Sequence, residues 1–347
     1  MAVAESLRET DPKAAVIYVG RAGGPESELV PAAGLEFVGM TLGRMGSSQV
    51  TATPRLLTRL PLAYQQARRA FSRFAPDVVL ATGGYVSLPV ALVAGRRRVP
   101  VLLMEQNALP GRAVRWLAPR AAVVATSFAG TAALLPEAKV TCTGNPVRSS
   151  FAQLVAPKVP TEAPFSLLVM GGSQGARNLN EVLLEALPEL WSALPGLGVC
   201  HLTGSSDHAR VLRAVESLQL PAGSSYQALP FVDDIATRVA GAGLVLMRAG
   251  GSSLAEVACL GKPMVLVPYP HAGNHQVANA RPFVEAGAAT MIEDEELTAA
   301  GLVRQVKAIL GSPERWAQMA EASAAMGRPR AAHEVAELLG GLALSRS

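Results

Sequence analysis

Residues Gly243 to Glu256 read Gly-Leu-Val-Leu-Met-Arg-Ala-Gly-Gly-Ser-Ser-Leu-Ala-Glu. Leu244 to Met247 is a short apolar run suited to a buried strand. Arg248-Ala249-Gly250-Gly251 breaks that strand. Ser252-Ser253 supplies N-cap chemistry, and Leu254 to Leu260 reads as the first turns of a helix. Strand, glycine-rich turn and helix N-terminus in this order make an anion site. Glycine lets a ligand approach the backbone, free N–H groups point outward, and the helix dipole favours negative charge. Glu256 lies one turn inside the helix. A carboxylate there does not suit a phosphate, but it can accept hydrogen bonds from sugar hydroxyls beside one. The stretch therefore points to a nucleotide, specifically a nucleotide sugar; the alternative is an ordinary strand-to-helix turn.

Two further stretches repeat the pattern. Val78 to Ala81 feeds Thr82-Gly83-Gly84-Tyr85-Val86-Ser87 and a helix over 88–94. Phe165 to Met170 feeds Gly171-Gly172-Ser173-Gln174-Gly175 and a helix running to Ala186. Other strands are predicted over 14–19, 35–42, 101–104, 121–126, 139–143, 197–202, 225–229 and 263–268. Helices are predicted over 1–10, 26–33, 53–74, 210–218, 279–286, 297–310, 313–326 and 331–344. The alternation predicts an α/β protein with open parallel sheets covered by helices on both faces. Ligands of such sheets sit at the carboxyl ends of the strands, which places one site in a cleft between two facing domains. None of the turns is Gly-x-Gly-x-x-Gly, so a nicotinamide or flavin enzyme has little support. Ala156 to Pro164 carries three prolines and reads as the linker between domains. The chain opens on a helix with no strand before it, an odd start for this fold.

At 347 residues the chain has room for two domains. Half of its residues are hydrophobic and 17% are charged, yet no apolar run reaches the length of a membrane-spanning helix. The first residues lack the apolar segment of a signal peptide. Cys142, Cys200 and Cys259 are scattered and suit a reducing cytoplasm. The net charge of +4 hides an asymmetry. Residues 1–150 hold 17 Lys and Arg against 9 Asp and Glu, whereas residues 151–347 hold 14 against 18. The first half is thus built to meet something anionic. No nucleic-acid motif is visible, so anionic lipid headgroups are the better partner. Residues 53–74 form a basic amphipathic segment with Leu56, Leu57, Leu60, Leu62, Tyr64 and Phe71 against Arg55, Arg59, Arg68, Arg69 and Arg73. It reads either as a helix lying on an anionic membrane or as a solvated helix covering the sheet. His271 and His275 lie four apart but have no evident third ligand, so no metal is expected. Asp233-Asp234 reads as a cap for the next helix.

Seven motifs in this order resemble the series of the MurG family of peptidoglycan glycosyltransferases. They are Gly-Gly-Tyr-Val-Ser (83–87), Glu-Gln-Asn (105–107), Gly-Asn-Pro-Val-Arg (144–148), Gly-Gly-Ser-Gln-Gly-Ala-Arg (171–177), Phe-Val-Asp-Asp (231–234), Arg-Ala-Gly-Gly-Ser-Ser-Leu-Ala-Glu (248–256) and His-Ala-Gly-Asn-His-Gln-Val-Ala-Asn-Ala (271–280). The resemblance covers nearly the whole chain. It implies two Rossmann-like β/α/β domains facing across a cleft, the GT-B glycosyltransferase fold. It also implies inverting transfer of N-acetylglucosamine from UDP-N-acetylglucosamine to the C4 hydroxyl of the undecaprenyl-diphosphate-linked muramyl pentapeptide, without a cofactor. The partners it implies are these two substrates and the anionic inner-membrane surface, not nucleic acid, with peripheral attachment to the cytoplasmic face of the cell membrane. Other UDP-sugar transferases, UDP-sugar epimerases and an inactive UDP-sugar-binding protein are the alternatives. Domains are expected over 1–147 and 148–327, with 328–347 as a C-terminal helix packing back toward the first domain.

The resemblance assigns Ser173 to the diphosphate, and Arg148 to the charge of the departing UDP, with a salt bridge as the alternative for Arg148. It assigns the Val232 backbone to uracil. Gly251, Ser252, Ser253, Leu254, Ala255 and Glu256 become the nucleotide-contacting segment, with Glu256 at the ribose hydroxyls. Gln276 is placed near the sugar hydroxyls, with a buried structural amide as its alternative, and Asn107 at the donor. Gly83, Gly84 and Tyr85 fall on the acceptor side. One departure stands out: the family begins with a strand and a Gly-Gly-Thr-Gly-Gly-His loop that carries its general-base histidine. This sequence has neither, so the first strand of the N-terminal domain is expected to be missing, through a truncated or misassigned N-terminus. Glu105 is the remaining, weak candidate for the base.

Overall fold

The computed structural model describes residues 1–41, 52–154, 165–172, 175–270 and 274–345, with side chains from residue 59 onward in the helix that begins at Ala52. Two compact units result, Met1–Pro146 with Arg330–Ser347, and Val147–Pro329. The chain passes from one to the other at Pro146–Val147, ahead of the proline-rich stretch, which lies outside the described residues.

The first unit runs α1 (Ala2–Thr10), β1 (Ile17–Arg21), α2 (Glu26–Ala32), β2 (Glu36–Met40), α3 (Ala52–Phe74), β3 (Val79–Ala81), α4 (Ser87–Arg96), β4 (Val101–Glu105), α5 (Arg112–Leu117), β5 (Val123–Thr126) and β6 (Val140–Cys142). All pairings are parallel. Every residue of β4 and β5 is buried, as a strand covered on both faces requires. In α3, Ala63, Ala67 and Phe71 recur at helical spacing and pack with Met40, Val90 and Val93. Its apolar face therefore covers the sheet while Arg59, Arg68, Arg69 and Arg73 face solvent. From residue 59 onward the packing is that of a helix covering the sheet, with Leu62 left exposed.

The described strands of this unit form two sheets, β1-β2 and β3-β4-β5-β6. In the doubly wound order 3-2-1-4-5-6 the leading strand lies between the second and the fourth. Strands β1 and β3, which would take those second and fourth places, are not paired with one another among the described residues.

The second unit runs α6 (Ser149–Ala152), β7 (Ser166–Met170), α7 (Arg177–Ala193), β8 (Gly198–Leu202), α8 (His208–Glu216), β9 (Ser225–Leu229), α9 (Ile235–Gly241), β10 (Leu244–Met247), α10 (Gly251–Cys259), β11 (Met264–Leu266), α11 (His275–Glu285), β12 (Ala289–Met291), α12 (Ala299–Leu310) and α13 (Pro313–Met326). One parallel six-stranded sheet in the order β12-β11-β10-β7-β8-β9 carries it. Its core joins Leu167, Val169, Leu244, Leu246 and Val265 to Leu183, Leu187 and Leu190 of α7 and Val306 and Ile309 of α12. Helix α7 runs seven residues past its expected end, through Pro188. An interior proline costs about 3 kcal/mol, but burying Leu187, Leu190 and Trp191 returns about 1.5–3 kcal/mol each. The last helix, α14 (Ala331–Leu344), belongs to the first unit. There Val335, Ala336 and Leu339 pack with Val3 of α1 and with Leu102 and Val123 of β4 and β5.

Candidate functional site

In the second unit the chain builds β7, β8 and β9 outward in one direction, then returns to lay β10 against β7 and continue the other way. The β7–β10 pair is the switch point where open α/β sheets bind ligands. Both glycine-rich turns of this unit leave that pair at its carboxyl ends. After β7, a Cβ on Gly171 would stand 2.5 Å from the Ala176 backbone nitrogen. One on Gly175 would stand 2.5 Å from the Thr203 carbonyl oxygen. Only glycine permits such approach. Ser173, expected at the diphosphate, lies outside the described residues.

After β10, Gly250 is the N-cap of α10 and makes no side-chain cap. This corrects the expected cap: Ser252 and Ser253 lie inside the first turn of a helix that begins at Gly251, because Gly250 takes the extended backbone of a cap (φ −71°, ψ 133°). Leu254 is fully buried in the core, so that residue presents only backbone to a ligand. Ala255 is half-buried.

Glu256 and Arg148 come together. Arg148 Nε donates to Oε1 of Glu256 at 2.7 Å, and Nη2 donates to Oε2 at 3.0 Å, a planar two-bond pairing. The Arg148 guanidinium also lies 5.1 Å from the centroid of the buried Phe151 ring. The salt bridge that was the alternative for Arg148 is thus present, and its partner is the carboxylate singled out for ribose. Gln276 lies in the first turn of α11, which starts four residues earlier than expected. Its Oε1 accepts the N–H groups of Ala249 at 3.1 Å and Tyr269 at 2.9 Å, and Asn279 Nδ2 donates to the Ala249 carbonyl at 3.2 Å. The carbonyl end of Gln276 therefore fixes the turns after β10 and β11, as its structural alternative requires. Val232 is half-buried in the loop after β9, on the outer arm of the sheet. Asp234 caps α9 by accepting the Thr237 N–H.

Arg248, which in the sequence marks only the end of β10, has a structural role that its motif does not spell out. It is buried, donates to the carbonyls of Val267 at 3.0 Å and Pro268 at 3.3 Å, and pairs with Asp294. The available signal was a charge inside an otherwise apolar strand-to-turn motif; its partner Asp294 sat in an acidic run that reads as a solvated loop.

In the first unit, Gly83, Gly84 and Tyr85 form the turn from β3 into α4, where the Ser87 hydroxyl donates to the Gly83 carbonyl at 2.6 Å. Glu105 is buried. Its Oε1 accepts the Asn107 N–H at 2.9 Å and Asn107 Nδ2 at 3.1 Å, and its Oε2 accepts the Gly111 N–H at 2.8 Å. Glu105 thus accepts three hydrogen bonds from its own loop, and Asn107 is held in that loop with it. Among the described residues no group of three His, Cys, Asp or Glu side chains is placed to hold a metal ion. His271 lies outside them.

Residues 1–126 match the glycosyltransferase family 28 N-terminal domain, and residues 166–335 match its C-terminal domain. A UDP-N-acetylglucosamine--N-acetylmuramyl-(pentapeptide) pyrophosphoryl-undecaprenol N-acetylglucosamine transferase from Anaeromyxobacter dehalogenans is 40% identical over 342 residues, covering 97% of this chain and 88% of that protein. The crystal structure of MurG from Acinetobacter baumannii superposes with a TM-score of 0.77 at 29% identity, over 98% of this chain and 94% of that one. A UDP-GlcNAc 2-epimerase from Neisseria meningitidis, bound to UDP-GlcNAc, shares the fold alone. It is 14% identical with a TM-score of 0.67, over 98% of this chain and 95% of that one.

Proposed function

The chain belongs to glycosyltransferase family 28 and, within it, to the MurG family, and from that membership we propose that it moves N-acetylglucosamine from UDP-N-acetylglucosamine to undecaprenyl-diphosphate-linked muramyl pentapeptide. It is a UDP-N-acetylglucosamine-dependent hexosyltransferase with the GT-B fold. The observation that carries the donor assignment is the β7–β10 switch point, where two glycine-rich turns open two helix N-termini side by side. The diphosphate takes the backbone N–H groups of these turns, with Ser173 among its contacts. The first turn of α10, from Gly251 to Ala255, faces the nucleotide through its backbone. Glu256 accepts the ribose hydroxyls and holds Arg148. That guanidinium offsets the charge growing on UDP as the bond to the anomeric carbon breaks. With its oxygen committed, Gln276 offers its NH2 end to a sugar hydroxyl. The Val232 backbone takes the uracil edge.

The first unit supplies the acceptor side, with the turn at Gly83, Gly84 and Tyr85 directed to the lipid diphosphate. The same unit offers an anionic-membrane surface. A cavity of about 440 Å³ at the amino ends of β4 and β5 is lined by Ala91, Leu92, Trp116, Leu117, Arg96 and Arg120. Trp116 is exposed, and the Arg120 guanidinium lies 4.7 Å from its ring centroid. Apolar surface ringed by arginine suits lipid headgroups. No helix among the described residues is long and apolar enough to cross a membrane.

Calorimetric titration with UDP-N-acetylglucosamine against UDP-N-acetylgalactosamine, followed by transfer to a lipid-linked muramyl pentapeptide, tests the proposal. Selective binding of the first sugar with formation of the disaccharide product is expected. Release of free sugar without acceptor, or binding without transfer, would overturn it in favour of an epimerase or a binding protein.

A further inference from the structure

We propose that Asn180 and His201 are positioning residues for Gly175, where the turn after β7 enters α7; the inference rests on the donor-site reading above. Neither residue belongs to the motifs that mark the site. Asn180 sits one turn inside α7. Its Nδ2 donates to the Thr203 carbonyl at 3.0 Å and to Asp207 Oδ2 at 2.7 Å. With both N–H groups spent, its Oδ1 is the acceptor facing His201 Nε2 at 3.0 Å, so Nε2 carries the proton. His201 Nδ1 then accepts the Tyr226 hydroxyl proton at 2.7 Å. A single tautomer satisfies every group. Burial pushes the His201 pKa down to about 4, which keeps the ring neutral and the arrangement fixed.

The link to the site is the Thr203 carbonyl. It is the oxygen that Asn180 holds, and the oxygen against which Gly175 packs too closely for any side chain. Asn180 therefore sets the floor on which Gly175 rests. The outer end is braced by Arg210, which donates to both oxygens of Asp207 at 2.6 and 2.7 Å. On the opposite flank, Asn178 Nδ2 donates to the Asp294 carbonyl at 3.0 Å, and Asp294 pairs with Arg248 under the turn after β10. The first turn of α7 is thus tied from both sides. A diphosphate held by backbone N–H groups depends on their direction, and small misplacements cost orders of magnitude in rate. Uridine lacks the diphosphate and does not use this turn.

The test is calorimetry of the full chain with UDP and with uridine, alongside a thermal melt. Asn180→Ala is expected to lose about tenfold or more in UDP affinity with uridine affinity unchanged. Asp207→Ala, which frees one Asn180 N–H at the edge of the core, loses about three- to fivefold on UDP alone. His201→Gln keeps a donor for Asn180 and an acceptor for Tyr226, and holds UDP affinity within about twofold. Equal losses on UDP and uridine, or a folded Asn180→Ala with unchanged UDP affinity, overturn the inference. If Asn180→Ala does not fold, Asp207→Ala decides by the same criterion. A wild-type chain that binds neither ligand refutes the donor-site reading itself, which this arm shows separately.

Discussion

The two units follow one alternating plan and arrive at different sites. In residues 147–329 the sheet is continuous, and its reversal places two glycine-rich turns on neighbouring strands. In the first unit the described strands form two sheets, and its glycine turn at Gly83–Tyr85 stands beside β4, whose own turn is tied up by Glu105. Charge runs the other way, with the arginine excess in residues 1–150 and the acidic excess after them. On the proposed reading, local backbone geometry builds the nucleotide site where net charge is least favourable to it, and dispersed basic charge prepares the first unit for anionic surfaces. Anion binding by oriented N–H groups needs a switch point, not a positive domain.

If donor chemistry is confined to the second unit, Arg148→Ala should lower kcat/KM by about 10²–10³-fold, with the melt near wild type because the Arg148 side chain is half exposed. Arg148→Lys should recover only part, since an ammonium cannot reproduce the two-bond pairing. Retained activity in Arg148→Ala would break the comparison.

The second unit should also be the acid-sensitive one. The groups facing His201 are Asp207, Arg210, His208 and Tyr226, and burial outweighs their charges to depress its pKa from 6.5 to about 4. The unfolded chain therefore takes up a proton that the folded one refuses. Stability present above pH 6.5 is lost as pH falls toward 4, by about 3 kcal/mol in full. Denaturant unfolding across this window should show the loss, and His201→Gln should flatten it.

Sharpening the other side, Trp116→Ala combined with Arg120→Ala should weaken binding to anionic vesicles about tenfold in co-sedimentation, leaving UDP affinity unchanged. A loss of UDP affinity would show that the units do not divide the work. The smallest expected effect is Glu256→Gln, which keeps an acceptor oxygen for ribose and should raise KM for UDP-N-acetylglucosamine about fivefold with kcat less affected.

Much of this was legible in the chain itself. Leu244–Met247 and Ser225–Leu229 coincide with the predicted strands, and Pro313–Met326 and Ala331–Leu344 with the predicted helices, because apolar period and proline placement are local signals. Some short elements escaped: α5, α6 and β12 are six residues or fewer, too brief for a period to register, whereas α9 was signalled by its Asp234 cap. The cap of α10 was misplaced because serine chemistry suggested Ser252, while the backbone turn occurs at Gly250. Arg248 and Asn180 were invisible because a buried polar group is identified by its partners, and Asp294, Thr203 and His201 lie far away in sequence.

The sequence by itself determined the α/β alternation, the strand–glycine–helix turns, the family and the names of the donor candidates, since each is written in residues near one another. Only the tertiary structure decided that β10 returns to β7, that Arg148 and Glu256 meet, that Gln276 spends its oxygen on two backbone turns, and that Thr203 supports Gly175. These contacts reach from seven to more than a hundred residues along the chain, and hydrogen bonding and close packing at that range depend on the folded path of the chain rather than on local composition.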